Sequence, residues 1–395
     1  MDADPSLMWH GPLWYAGFRP AELSGAIPGL RTDEDLLTHF QAGSHPSGAL
    51  PSAIAVTPTL LGTTTEQSAF FQWLDALVSG LACEVPLILF IGPEDVVPER
   101  PRADAVIHFG MAPQHVFERV CALQRNLLRF EEARVRRLVF GRLAGSAPAP
   151  HHSGPSGLLV IGVGHRFLEL EATAEDKVDV VGAFDQRLAE DYLKQRAFDA
   201  VILDGGLPDA LETLRQLRFD ARFATLPVLV FSSGQGEAHA LVEAGATDVL
   251  PQGITAENLK ARMRVLIRAG KRRRLADRIL AESRKWLMQT ASAGGVPESV
   301  YQAYLDRTQS GLELRGLRLE EVWLAPAEGL PGTPSGESDT SNVFATLMTI
   351  ADATSREEDL VCVVAGKGPV AVLKSDRGKA RIMARINAIL SHTVF

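Results

Sequence analysis

The first two thirds of the chain repeat themselves at a spacing of roughly 145 residues, and this duplication narrows the possible folds more than composition does. PLILFIG from Pro86 matches PVLVFSS from Pro227, and SAIAVT ending at Thr57 matches DAVILD ending at Asp204. ADAVIHFGMAPQHVFERVCALQR from Ala103 matches ATDVLPQGITAENLKARMRVLIR from Ala246. Solenoid units run to about 20–50 residues, so this period fits a duplicated domain. Each copy alternates short apolar runs, bounded by turns, with helical stretches. Strands joined through helices lie parallel and need cover on both faces. The second copy is the clearer one, with strands expected at 158–164, 178–184, 198–206, 226–234 and 246–251. Sheets of this kind bind ligands beyond the carboxyl ends of their strands.

The 395 residues allow two or three domains, each large enough for its own core. A formal net charge of −8 argues against a nucleic-acid binder as a whole. The basic run GKRRR at 270–274 reads as the solvated face of a helix spanning about 254–290, with Thr255 as its cap. Cys83, Cys121 and Cys362 are sparse, odd in number and set in apolar runs, which suits free thiols in a reducing compartment. The proline-broken, acidic start MDADPSLMWHGPLW is not expected to be a signal peptide. No apolar run approaches the ~20 residues of a membrane span, so a cytoplasmic protein is expected. GSAPAPHHSGPSG at 145–157 reads as a flexible linker, and EGLPGTPSGESDTSN at 328–342 as a long loop. His151 and His152 have no partners at metal-ligand spacing, and no metal is expected.

Near the C-terminus, SREEDLVCVVAGKGPVAVL (355–373) places Arg356 and Asp359 three apart, ahead of two apolar runs around a glycine-rich turn. The runs predict a β-hairpin. AGKG at 365–368 lacks the remaining P-loop residues and lies in that hairpin, so it reads as a turn. An Arg can donate two parallel hydrogen bonds to guanine O6 and N7 or to a phosphate, and can stack on a base. An Asp can accept from the guanine N1 and N2 donors. The same spacing recurs at Arg274 and Asp277, and such a pair is more commonly a surface ion pair of little energetic weight.

DAVILDGGLPD, PVLVFSS and EAGATDVLPQG resemble the receiver domain of response regulators, a flavodoxin-like fold. The resemblance implies Asp204 as phosphoacceptor and Ser232 as switch hydroxyl. Phosphoryl transfer there needs Mg²⁺ held by carboxylates. Gly162-Val163-Gly164 stand where the family has its acidic pair, and Gln252 where it has a Lys. In the first copy Thr57 takes the acceptor position and WYAGFRP (14–20) supplies no acid. Both receivers are expected to be degenerate and to serve as docking or dimerisation platforms.

The last ~100 residues resemble a GGDEF domain, the catalytic domain of diguanylate cyclases. In that family Arg-x-x-Asp precedes the signature by five residues, as Leu360–Val364 separate Asp359 from Ala365–Pro369 here. The signature itself is lost, and Ala325 and Ala327 fall where another metal-binding Asp is expected. No cyclase activity and no catalytic cofactor are therefore expected. The family's Arg-x-x-Asp is its inhibitory site for cyclic di-GMP, which implies Arg356 and Asp359 as ligands. Alignment of KARIMAR adds Arg385.

The expected fold class is α/β: two flavodoxin-like receiver domains followed by a degenerate GGDEF-type domain. The expected bounds are 1–144, a linker at 145–157, 158–275, a helical linker at 276–295, and 296–395. The order resembles catalytically silent members of the PleD-type cyclase family. That resemblance implies a cyclic di-GMP effector at a cell pole, with protease adaptors and substrates of ClpXP as protein partners and a homodimer as an option. The alternatives are a ligand-independent scaffold and a regulator signalling through phosphorylated Asp204.

Overall fold

The computed structural model describes residues 8–17, 31–92, 95, 97–98, 102–108, 111–141, 156–324, 337–374 and 379–390. It divides into two compact units, the first made of Met1–Asn126 and Pro150–Leu275, the second of Leu127–Ala149 and Ala276–Phe395.

The first unit holds two parallel five-stranded sheets. One contains β1 (Pro12–Ala16), β2 (Arg31–Asp35), β3 (Ala53–Val56), β4 (Leu87–Ile91) and β5 (Ala105–His108), in the order β2-β1-β3-β4-β5. The other contains β6 (Ser156–Gly162), β7 (Val178–Ala183), β8 (Ala200–Asp204), β9 (Val228–Ser232) and β10 (Asp248–Pro251), in the order β10-β9-β8-β6-β7. Counted within each copy, both orders are 2-1-3-4-5, the flavodoxin-like arrangement. Every residue of β3, β4, β8 and β9 is buried. This is the mark of parallel strands covered on both faces, and it is why they read as unbroken apolar runs.

Matched positions do matched work. Asp104 Oδ2 accepts from the Leu87 N–H at 3.0 Å, and Thr247 Oγ1 accepts from the Val228 N–H at 3.0 Å. Each ties the fifth strand of its sheet to the start of the fourth.

Among the helices, α1 is Leu36–Ala42, α2 Thr64–Gly80, α3 Pro113–Phe140, α4 Phe167–Thr173, α5 Gln186–Gln195, α6 Leu207–Phe219, α7 Gln235–Glu243 and α8 Ala256–Ser292. Helix α8 starts where the sequence places it, with Thr255 Oγ1 accepting from the Asn258 N–H at 3.4 Å. It then continues unbroken for 37 residues, so most of the stretch expected as a helical linker at 276–295 is the second half of this same helix. Its first half serves both sheets. Leu259, Met263 and Leu266 fill the core of the second sheet, while Ala261 and Val265 pack on that of the first. Gly270 lies inside the helix, where glycine costs about 1 kcal/mol against alanine. It is required because the Asp199 carbonyl oxygen lies 1.7 Å from where a Cβ would sit. The basic run is not a free solvated face. Arg272 pairs with Glu84 and, at 3.3 Å, with Asp104; Arg274 pairs with Asp199 at 2.9 Å.

The second unit contains the last turns of α3 and α8, then α9 (Glu298–Glu313), β11 (Glu320–Trp323), α10 (Glu337–Thr354), β12 (Leu360–Val364), β13 (Gly368–Leu373) and α11 (Lys379–Leu390). Its antiparallel sheet has the order β11-β13-β12. The expected hairpin is present, with Val364 opposite Gly368 and Gly366 at φ 73° in the turn. Phe140, Leu287, Tyr304, Leu347 and Ile350 bury the hairpin strands. Helix α10 begins at Glu337, inside the stretch expected as a loop. Its ESDTSN start is loop-like in composition because helix N-termini favour Ser, Asp and Thr. Of the expected linker at 145–157, residues 145–155 lie outside the described residues, as do Ala325 and Ala327. Among the described residues no helix is long and apolar enough to cross a membrane.

Candidate functional site

Two sites follow from the sequence, one in each unit. In the first unit, Asp204 ends β8 and Ser232 ends the neighbouring β9, both buried at the carboxyl edge of the sheet. One Asp204 oxygen accepts from the Arg166 N–H at 2.9 Å. The Ser232 hydroxyl is engaged locally, donating to the Gly234 carbonyl at 2.7 Å and accepting from the Gly234 N–H at 3.1 Å.

At one of the positions where the acidic pair is expected, a carboxylate is excluded sterically. Gly162 has φ 139°, and a Cβ there would stand 2.0 Å from the Asp204 carbonyl oxygen. No carboxylate side chain fits that position. The positive charge at this edge also comes from elsewhere. Arg166 reaches across to Gln252, donating to its carbonyl and, at 2.8 Å, to its Oε1. The same guanidinium lies 4.3 Å over the Phe231 ring and pairs with Glu169 at 3.2 Å. Among the described residues, no cluster of three His, Cys, Asp or Glu side chains close enough to share an ion includes Asp204. In the first copy Thr57 is fully buried, its hydroxyl making no hydrogen bond.

In the second unit, Arg356 and Asp359 form a tight turn between α10 and β12. The Asp359 N–H donates to the Arg356 carbonyl at 3.1 Å, and Asp359 Oδ2 accepts from the Arg356 N–H at 3.2 Å. Asp359 Oδ1 accepts from the Lys374 N–H at 3.2 Å, which ties the turn to the end of β13. Burial, aided by Glu358, pushes the Asp359 carboxyl up to about 6, against the Lys374 and Arg356 N–H bonds and the Lys374 charge. Arg356 is half-buried, and Arg385 is exposed on α11. At the hairpin turn Lys367 pairs with Glu298 at 2.6 Å.

Sequence reasoning missed the side chains that hold this turn. Arg136 donates to the Asp359 carbonyl at 2.6 Å and to the Glu357 carbonyl at 3.4 Å. Arg129 donates to Glu357 at 2.5 Å and pairs with Asp277 at 2.5 Å. Glu132, 1% exposed, accepts from Arg136 at 2.5 Å, from Tyr304 at 3.0 Å and from Lys374. Positions 129, 132 and 136 share one face of α3. The signal was RFEEARVRR at 129–137, a charged stripe along a helix whose apolar residues face a core.

No known protein-family profile matches the chain. In sequence it is similar to the response regulator MprA of Mycolicibacterium vanbaalenii, 41% identical over 88 residues, covering 22% of this chain and 38% of that protein. It is also similar to MprA of Mycobacterium ulcerans, 34% identical over 142 residues, covering 32% of this chain and 60% of that protein. The chain thus spans 38% and 60% of the length of these two curated relatives. A solved two-component response regulator/GGDEF domain protein covers 66% of this chain and 99% of its own length, at 17% identity and a TM-score of 0.26. A candidate response regulator from Chloroflexus aurantiacus covers 29% and 98%, at 20% identity and a TM-score of 0.25. The chain therefore carries response-regulator receiver homology, and its own strand order gives the flavodoxin-like fold.

Proposed function

We propose that this protein is a catalytically silent signalling scaffold whose C-terminal domain, a degenerate GGDEF domain, reads cyclic di-GMP and no longer makes it. The observation that carries the reading is the Arg356–Asp359 turn, fixed at both ends by Asp359 next to a hairpin turn that has lost its acids. Asp359 acts first as the residue that shapes the turn. Arg356, on that turn, and Arg385, on α11, supply guanidiniums suited to the guanine edges and phosphates of a dianionic dinucleotide. Joining two GTP molecules requires metal ions to neutralise developing charge. A lysine paired with Glu298 stands where the cyclase signature needs an acid.

Ligand binding changes protein function only through its preference for one arrangement over another. The order receiver, receiver, GGDEF-like resembles PopA. On that likeness, the bound state recruits protease adaptors and substrates for degradation by ClpXP at a cell pole. Calorimetric titration of the full chain with cyclic di-GMP tests the reading. The expected result is saturable binding that Arg356→Ala weakens by about ten- to a hundredfold, the worth of one bidentate arginine–guanine pair. Measurable cyclic di-GMP formation from GTP and Mg²⁺ would overturn the claim of catalytic silence.

A second reading, a scaffold that needs no ligand, draws support from the two Asp359 oxygens, each already accepting a backbone N–H. Absence of binding to the wild-type chain would favour it. Signalling through phosphorylated Asp204 has less support, because Gly162, Val163 and Gly164 supply no carboxylate to hold the metal and Gly162 has no room for one.

A further inference from the structure

His115 lies in the first turn of α3 and His239 on α7, both within the first unit but on different receiver-like domains. His115 Nε2 stands 3.1 Å from His239 Nδ1, with ring centroids 4.8 Å apart and planes at 61°. Glu243 follows His239 by one helical turn, on the same face of α7, and its Oε1 lies 3.4 Å from His239 Nε2, the ring's other nitrogen, so its carboxylate must turn toward the Nδ1 side to join an ion there. One donor atom from each of His115, His239 and Glu243 lies within 4.8 Å of the others. His115 is 8% exposed, and its Nδ1 is buried without a hydrogen bond. Glu118 Oε2 lies 3.5 Å from that Nδ1.

Two facing ring nitrogens at this distance must share a proton or a cation. A tetrahedral zinc ion with bonds of about 2.0–2.1 Å sets its nitrogen ligands about 3.3 Å apart, close to the observed separation. Glu118 is placed as the outer carboxylate that orients a metal-bound imidazole through its other nitrogen. Two imidazoles and one carboxylate suit zinc and its neighbours in the transition series, whereas Mg²⁺ and Ca²⁺ favour all-oxygen sites. His239 and Glu243 are exposed, which gives an ion a path in from solvent.

We propose that His115, His239 and Glu243 form a binding site for a divalent transition-metal ion, zinc foremost, with a fourth position open to water or an outside ligand. The ion would clamp α3 of the first receiver-like domain to α7 of the second. Metal occupancy would then stabilise the pairing of the two domains in proportion to its binding.

The test uses the full chain stripped with a chelator, then titrated with Zn²⁺ against a competing chromophoric chelator. Co²⁺ is titrated in parallel and followed by visible absorption. The expected result is one equivalent of Zn²⁺ and a four-coordinate Co²⁺ spectrum. His239→Ala should abolish both, and because His239 is exposed the fold is expected to survive, as circular dichroism would show. Glu243→Gln should weaken binding at least about tenfold. A double His151→Ala, His152→Ala variant should bind as the wild type does. No binding by the wild-type chain, or binding that survives His239→Ala, would overturn the proposal.

Discussion

Replacing Glu132 by Gln removes one charge and little volume from the second unit, so its effect isolates the buried ionic network. Glu132 is 1% exposed, and Arg136 and Lys374 are each 3% exposed. The substitution leaves two cations buried without their shared carboxylate. A charge-assisted hydrogen bond contributes about 1.5–3 kcal/mol, and stranding a buried partner costs about 3–5 kcal/mol. Glu132→Gln should therefore destabilise the unit by about 3–5 kcal/mol, a large share of the ~5–15 kcal/mol typical of a domain. Lys374→Met leaves Glu132 bonded to Arg136 and Tyr304 and should cost less. The double variant should cost less than the two single changes summed, by at least about 1 kcal/mol. The assay is urea-dependent hydrogen exchange at the amides of β12 and β13, which reports opening of this unit. The network also has a pH signature. Burial alone would raise the Glu132 carboxyl, but Lys374 and Arg136 overcome it and hold it below its ordinary range. Its stabilisation is thus full above the unfolded-state value and is lost as pH falls through the lower folded-state value. A Glu132→Gln effect under about 1 kcal/mol at neutral pH would mean that the buried ionic network does not hold this unit together.

Asp359 carries the opposite sign. With its carboxyl raised from 3.8 to about 6, the folded state holds its proton longer than the unfolded chain, so stability drains away as pH rises between those values, by about 3 kcal/mol. Denaturant titrations at pH 4 and pH 7 should show the wild type losing about 2 kcal/mol, most of that amount, relative to Asp359→Asn, and a pH-independent difference would contradict it. Gly162→Ala should cost about 3 kcal/mol or more, since its Cβ would meet the Asp204 carbonyl at 2.0 Å with φ at 139°; a thermal midpoint within a degree of wild type would show that the strand edge yields. Acetyl phosphate with Mg²⁺ should leave Asp204 unmodified in intact-mass analysis, and stoichiometric phosphorylation would restore the receiver chemistry.

The sheets of the first unit were legible because LILFI and AIAV are apolar from end to end and AVILD is apolar up to its terminal Asp204, as parallel strands buried on both faces require. The repeat showed that the two sheets are copies of one another, while their strand order comes from the structure. Helix α3 was harder to place. Its periodicity shows that one face is apolar, but not that residues from 127 onward belong with the C-terminal sheet. Arg166 was invisible as the partner of Gln252 because 86 residues separate them. His115 and His239 stand 124 apart, with no spacing that signals a metal site. Asp359 was legible as a special residue, but its backbone partner at Lys374 depends on the hairpin register.

Hydrogen exchange of the full chain with and without saturating cyclic di-GMP shows whether the Arg356 turn receives the dinucleotide. Exchange is expected to slow at residues 355–360 and along α11, but not in Arg356→Ala, with the carboxyl ends of β8 and β9 unchanged. Unaltered exchange at 355–360, or protection that persists in Arg356→Ala, would contradict binding at that turn.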